Sequence, residues 1–400
     1  SDLCSGANRV ARNPITGQTL PSVKIGTFAA GTGTAFQGMN VVKESVLNSP
    51  GINIGPRVGF AYDVFGDGKT SVRGGVGVFY DRFNDDQVLQ LVELPPNVIT
   101  ATANFTTIKD LLATPLSVTP AGVFGIQRDY DSPAVYNFSL GVQRDIGFHT
   151  VLDVAYVGSL ARHLLQRRSI NAVTYGQRFQ TASIDPTVSG GATPLPDNFL
   201  RPYKGYGTIT FREFVGTSSY NSLQASLNRR IGRDLRFGVS YTFSKALGSA
   251  SIDTASTHPF NTRAYSYGLS DFDRTHVLSA NYSYNLPSLS RYVGRKQFTR
   301  ALLDGYQFSG ITRYQSGTPY SIGFGIAGIG TGQRLTGSPD LGTGFYLNGN
   351  PSAGRDGLLI NPDAFVIPKP GDVGPFPIAY LRRPGYWNHD ISLLKNFYFD

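Results

Sequence analysis

The chain has almost no cysteine. Cys4 stands alone among 400 residues, which excludes an internal disulfide framework and any multi-cysteine metal centre. Asp2 and Leu3 precede it where a lipoprotein signal carries small residues, so lipidation is not expected. No run of about 18 apolar residues occurs, so no transmembrane helix is predicted. No secretory leader is found, and the chain stops at Phe397–Asp400, inside or just after a periodic segment. It reads as an interior piece of a longer protein. Charge is scarce, with Asp, Glu, Lys and Arg making up 16% of residues against about 25% in soluble domains. The net charge of +9 is spread over predicted turns and strand ends, without a basic arm or recognition helix. Nucleic acid is therefore not an expected partner.

What the chain does have is glycine (47), phenylalanine (26) and tyrosine (22), set in long alternating segments. In Leu235–Leu247 one face reads Leu235, Phe237, Val239, Tyr241, Phe243, and the other Arg236, Gly238, Ser240, Thr242, Ser244. Successive strand residues point to opposite sides, so one side is greasy and the other polar. Soluble strands average about five or six residues, whereas tilted strands crossing a bilayer need about 9–11. The polar side holds Gly, Ser, Thr, Asn and Gln instead of the Lys and Glu of a solvated sheet. The fold class is all-β: a transmembrane antiparallel β-barrel, placed in the bacterial outer membrane.

Predicted hairpins are Arg57–Phe65 with Thr70–Arg82 around Gly66–Lys69, Ala134–Arg144 with His149–Gly158 around Asp145–Gly147, and Ser219–Arg230 with Leu235–Leu247 around Gly232–Asp234. Thr275–Leu286, Gly305–Gln315 and Tyr386–Phe397 continue the pattern, and Ile108–Leu112 reads as a short helix. Connections alternate at about 4, 50, 4, 60, 4, 25, 18 and 70 residues, the short-turn, long-loop asymmetry of outer-membrane barrels. This orients the short turns to the periplasm. A single barrel domain is expected, with 1–56 as an extracellular loop region, 57–316 as hairpin strands, 317–385 as a long extracellular loop and 386–400 as the last strand. Aromatics near strand ends fit interfacial girdles, and rim cations fit phosphates of outer-membrane lipid and lipopolysaccharide.

Six segments follow in order: Arg57–Arg82, Asp153–Leu164, Tyr220–Leu247, Ser270–Pro287, Tyr314–Ile322 and Trp387–Phe397. Together they resemble the barrel of TonB-dependent receptors, especially the large Oar-like group of acidobacteria. The resemblance implies a barrel of about 22 strands, of which about nine or ten lie here. It also implies a plug domain of the same parent chain, absent from these residues, and TonB acting through that plug. The implied function is binding and energised uptake of a scarce or bulky solute, with a small molecule, oligosaccharide or peptide as the ligand.

No enzyme is expected, and no catalytic residue, cofactor or metal is assigned. Gly323–Gly328 matches G-x-G-x-x-G, but Ile329–Gly332 will not start the helix that a dinucleotide site needs. His149, His163, His258, His276 and His389 lack metal-ligand spacing. Asp271, Asp273 and His276 echo outer-membrane proteases, although structural hydrogen bonding is the simpler reading. Asp63, Arg73, Asp81, Asp153, Arg236 and Arg313 fall on predicted lumen faces. Ligand contacts are expected from loops Ala103–Asp131, Ser159–Thr217, Gly248–Ser270 and Gly317–Pro384, with Tyr175, Tyr203, Tyr206, Phe211 and Phe214 as stacking candidates. A passive porin, an adhesin scaffold and a soluble extracellular propeller are the competing readings.

Overall fold

The alternation becomes a single twelve-stranded sheet in a computed structural model. The structure describes residues 10–28, 39, 45–82, 85–102, 107–113, 117–174, 176–188, 193–232, 234–252, 255–294, 297–320, 346–350, 360–366 and 381–397. The strands are β1 (Arg57–Asp63), β2 (Thr70–Tyr80), β3 (Val123–Ile126), β4 (Ala134–Gly147), β5 (Thr150–Ser169) and β6 (Ile209–Ile231). The remainder are β7 (Leu235–Gly248), β8 (Ser256–Thr257), β9 (Gly268–Leu269), β10 (His276–Asn285), β11 (Tyr306–Gln315) and β12 (Tyr386–Lys395). Nine of them form an antiparallel path in the order β12-β11-β10-β7-β6-β5-β4-β2-β1. The sheet is open, and its outer strands are β1 and β12.

Register turns the alternation into two faces. Gly59, Gly75, Ser139, Val157, Ser222 and Ser244 form one cross-strand row, each opposite the next. Gln143, Asp153, Ser226, Ser240, Ser279, Arg313 and Asn388 form another row on that face. The reverse face carries Val58, Phe60, Val76, Leu140, Tyr156, Leu223, Phe243, Trp387 and Ile391, all with large exposed surfaces. A soluble protein rarely leaves so wide an apolar face open. The pattern is that of an outer-membrane strand wall, greasy to lipid and polar inward.

Three lipid-side glycines are seats for aromatic rings on the neighbouring strand. A Cβ on Gly74 would stand 2.5 Å from the Phe60 ring, one on Gly158 2.3 Å from Phe138, and one on Gly310 2.5 Å from the Tyr282 hydroxyl. Each ring thus lies flat across its strand pair. Gly158→Val should push Phe138 off the sheet and cost about 1–3 kcal/mol, the range for overpacking. Urea titration of the intact protein in detergent checks this, and Ser159→Val on the other face serves as control.

The structure moves several predicted boundaries. Strands β5 and β6 continue into segments expected to be loop, so the two ends of Ser159–Thr217, 159–169 and 209–217, are sheet. The second hairpin turns at Phe148 and His149, with φ of 52° and 55°, as a two-residue turn with both centres left-handed requires. Gly147, at φ 86°, lies beside a register shift between Asp145 and Gly147. Asp145–Gly147 therefore ends a strand and is not itself the turn. Residues 108–113 form turns, and among the described residues of that loop the helix is α1 (Asp86–Leu89).

Connections 64–69, 148–149, 232–234 and 286–305 lie at one end of the wall. The strand ends joined by 81–133, 170–208, 249–275 and 316–385 lie at the other, hereafter the long-loop end.

Candidate functional site

Beyond the long-loop end the sheet does not stop but changes character. The upper part of β5 pairs with the upper part of β6 across two register shifts, between Glu213 and Gly216 and between Gly216 and Ser218. Strand β3, from the loop after β2, adds in parallel to Ile209–Arg212 of β6. Strand β8, from the loop after β7, adds in parallel to Arg167–Arg168 of β5. Two loops remote in sequence thus close a four-stranded platform, β8-β5-β6-β3.

The platform is held by charge that lipid would not tolerate. Glu213 takes two hydrogen bonds from Arg168, Nε to Oε1 and Nη2 to Oε2, both 3.0 Å. This fork, partly offset by desolvation, holds the Arg168 guanidinium above its ordinary pKa. Arg212 is fully buried, with its guanidinium 4.6 Å from the Phe124 ring centre. It donates to the Gln87 carbonyl at 2.9 Å and to the Gln90 side chain, while Arg167 donates to Gln87 Oε1 at 2.7 Å. Burial first, then Arg167, pushes Arg212 below its ordinary pKa, while Asp86 acts in the opposite direction. Helix α1 is strapped to the platform through these two arginines.

A cavity of about 710 Å³ opens beside α1. Its walls are Leu47–Gly51 and Asn53, the end of β2 with Tyr80–Arg82, the α1 residues Val88 and Leu89, and Tyr130 with Ser132. Asn48 donates from its backbone to the Arg128 carbonyl at 3.0 Å, and Asn53 from its amide to Ser132 at 2.7 Å, fixing one wall against the other. Tyr130 stacks on Phe214 with centroids 4.4 Å apart. A second hollow of about 250 Å³ lies on the polar face of β2, β4 and β5, lined by Arg73, Gly75, Ser139, Gly141, Gln143, Asp153 and Ala155.

The residues expected to line the lumen therefore separate. Arg73 and Asp153 share the second hollow, and Asp81 lines the first. Arg236 and Arg313 are exposed on the same polar face, opposite Ser283 and Ser279. Asp63 lies at the other end, where its carboxylate accepts from the Gly68 amide at 2.8 Å and fastens the first turn. Among the stacking candidates, Tyr203 is exposed and its backbone is bracketed by Asn171, while Tyr206 is half-buried. Phe211 covers Gly125 of β3, and Phe214 is buried behind Tyr130. Both lie on β6 and not in a loop. Tyr175 and the Gly323–Gly328 motif fall outside the described residues. Asp273 accepts from the Ala246 amide and the Arg382 guanidinium, a structural tie, and His276 bonds Tyr241 on the lipid side.

A family model for the outer membrane beta barrel domain matches residues 11–400. The chain belongs to this family. Its place is the bacterial outer membrane. It is similar to the outer membrane transporter YddB from Escherichia coli, at 14% identity and TM-score 0.42, over 70% of this chain and 30% of that one. It is also similar to the FrpB iron transporter (F3-3 variant) from Neisseria meningitidis, at 10% identity and TM-score 0.39, over 86% of this chain and 31% of that one. The siderophore receptor PirA from Acinetobacter baumannii is similar at 11% identity and TM-score 0.39, over 86% of this chain and 35% of that one. The chain spans about a third of the length of each. No curated protein matches it.

Sequence reading of this barrel member missed Arg167, Arg212, Gln87 and Tyr130. A signal was available, because Arg167-Arg168 and Arg212-Glu213 put paired charge into otherwise charge-poor strands, marking where those strands leave the lipid.

His258 gives the loop after β7 a dependence on pH. Its ring lies 4.5 Å from Tyr265, and its Nδ1 accepts from the Asn261 amide at 3.0 Å. Burial pushes its pKa down to about 4 from 6.5. The folded loop thus excludes a proton that the unfolded loop accepts. Its stability is complete above pH 6.5 and falls as pH drops from there to about 4. A nitroxide at position 252, in a background with Cys4 and every other native cysteine replaced by Ser, should gain mobility across that window, and His258→Gln should flatten the response.

Proposed function

We propose that this wall belongs to an outer-membrane receptor of the TonB-dependent, Oar-like kind. It captures a solute at its long loops and passes it inward past a plug. The long-loop end faces the outside of the cell and the short turns face the periplasm. The observation that carries the reading is the large cavity between α1, β2 and the Tyr130–Ser132 segment, built on a platform that two loops close. A passive pore needs no such preformed, braced hollow at its mouth. Asp81 and Arg82 offer opposite charges at its edge, and Tyr80 and Tyr130 offer ring faces, a set suited to a polar solute with planar or sugar-like parts. Arg73 and Asp153 continue a polar path down the wall. The protein binds and transports and does not catalyse.

Planar-bilayer recording on the intact protein tests this. A plugged receptor should hold the membrane closed until the plug is loosened with urea. Steady ohmic conductance in buffer alone would establish a porin instead. Capture of the intact protein by the periplasmic domain of TonB should succeed for the receptor and fail for the porin or an adhesin scaffold.

A further inference from the structure

Three of the four connections at the short-turn end are minimal, at 64–69, 148–149 and 232–234, yet 286–305 holds two helices. These are α2 (Ser290–Val293) and α3 (Gln297–Leu303). A hairpin needs neither. Their apolar side chains are turned outward, with Phe298 77% exposed, Tyr292 71%, Val293 66%, Leu302 54% and Leu289 46%. Phe298 and Leu302 stand four residues apart, on one face of α3. The connection also carries Arg291, Arg295, Lys296 and Arg300 against one acid, Asp304. That acid is engaged, accepting from the Ser290 amide at 2.9 Å and its hydroxyl at 2.6 Å.

Position decides what this surface meets. Tyr306 and Lys395 are opposite each other on the lipid-side face that also holds Leu393 and Ile391. The Tyr306 hydroxyl donates to the Leu302 carbonyl at 3.0 Å, which seats the end of α3 against the lipid-facing foot of β11. Lys395 lies 4.3 Å over the Tyr306 ring. The apolar side chains of the connection thus continue the greasy face, and Arg291 and Arg300 stand where that face ends. Aromatic and aliphatic groups beside Arg and Lys are what a headgroup layer receives.

We infer that 286–305 is a membrane-surface anchor, with Phe298, Leu302 and Tyr292 entering the inner leaflet of the outer membrane and Arg291 and Arg300 binding phosphates of anionic phospholipid. The leaflet assignment rests on the sidedness proposed above.

The test uses the intact protein with Trp387 and every other native tryptophan replaced by Phe, so that an indole introduced by Phe298→Trp reports alone. In vesicles of phosphatidylethanolamine and phosphatidylglycerol brominated near the headgroup, this indole should be quenched several-fold more than one introduced by Asp67→Trp in the first turn. Iodide should quench the two in the opposite order. Arg291→Glu with Arg300→Glu should reduce the bromolipid quenching several-fold with unchanged barrel mobility on unheated gels, and vesicles of phosphatidylcholine alone should do the same. Equal iodide quenching at positions 298 and 67, without bromolipid quenching, would overturn the anchor, as would protection that appears only when periplasmic proteins are added. A protease site beside Gly68 separates the two readings. Cleavage there in intact cells would overturn the sidedness and the inner-leaflet assignment, even if bromolipids still quench at position 298.

Discussion

Leu140→Arg and Val239→Arg should each cost the intact protein about 2–4 kcal/mol, the price of an arginine facing the middle of the bilayer. Their neighbours Ser139→Arg and Ser240→Arg should cost much less, although each lies one residue away. The register sets the contrast. Leu140 is opposite Tyr156 and Gly74 in the greasy face, while Ser139 is opposite Val157 and Gly75 on the polar side. Exposure alone predicts no contrast between Leu140 and Ser139, because both are exposed and a charge at an exposed site in water is cheap. The solvent at that surface, and not its accessibility, decides the sign. Urea unfolding of the four variants in lipid vesicles measures it, and equal losses for both sets would reject the assignment of faces.

Arg212→Ala is expected to release α1 while leaving the membrane wall intact. The substitution removes a fully buried guanidinium and both of its hydrogen bonds to the α1 loop, at Gln87 and Gln90. Hydrogen bonds to charged groups contribute roughly 1.5–3 kcal/mol each, and the vacated space offsets part of the gain from removing a buried cation. A loss of about 2–4 kcal/mol in local stability follows, confined to residues 85–92 and the cavity they border. Hydrogen exchange at these amides should accelerate by two to three orders of magnitude, with no change in β4 or β7. Arg212→Lys should not restore protection, because one ammonium cannot reach both acceptors from the plane that the Phe124 ring imposes.

The membrane part of the fold was legible because lipid enforces the alternation. In Arg57–Asp63, Val72–Tyr80 and Leu235–Phe243 every second residue is apolar or glycine, and the strands end close to where the pattern ends. Above the lipid that constraint lapses. In Leu160–Ser169 the consecutive Leu164 and Leu165 break the period, His163 takes a φ of 56°, and the register slips twice opposite Gly216. Side chains there meet loops on one side and water on the other, so no two-residue rhythm survives to mark the strand. Strands β3 and β8 were illegible for another reason. At four and two residues, they are strand only because of the partners they meet far along the chain. The charged members of the polar face were readable from alternation, whereas the cavity depends on segments brought together across more than 80 positions, such as Asn48 with Asp129.

The length of β6 has a consequence for who can reach this protein. Its 23 residues, at about 3.3 Å each, span roughly 75 Å, and even at a tilt near 45° the strand rises about 50 Å along the membrane normal. The hydrocarbon layer takes up about 30 Å of that. With the sidedness proposed above, the remainder would carry the platform some 20 Å outward, into the sugar coat that shields most outer-membrane surface from large particles. Phage tails, bacteriocins and antibodies stopped by that coat would find in β5 and β6 a stiff, well-ordered handle.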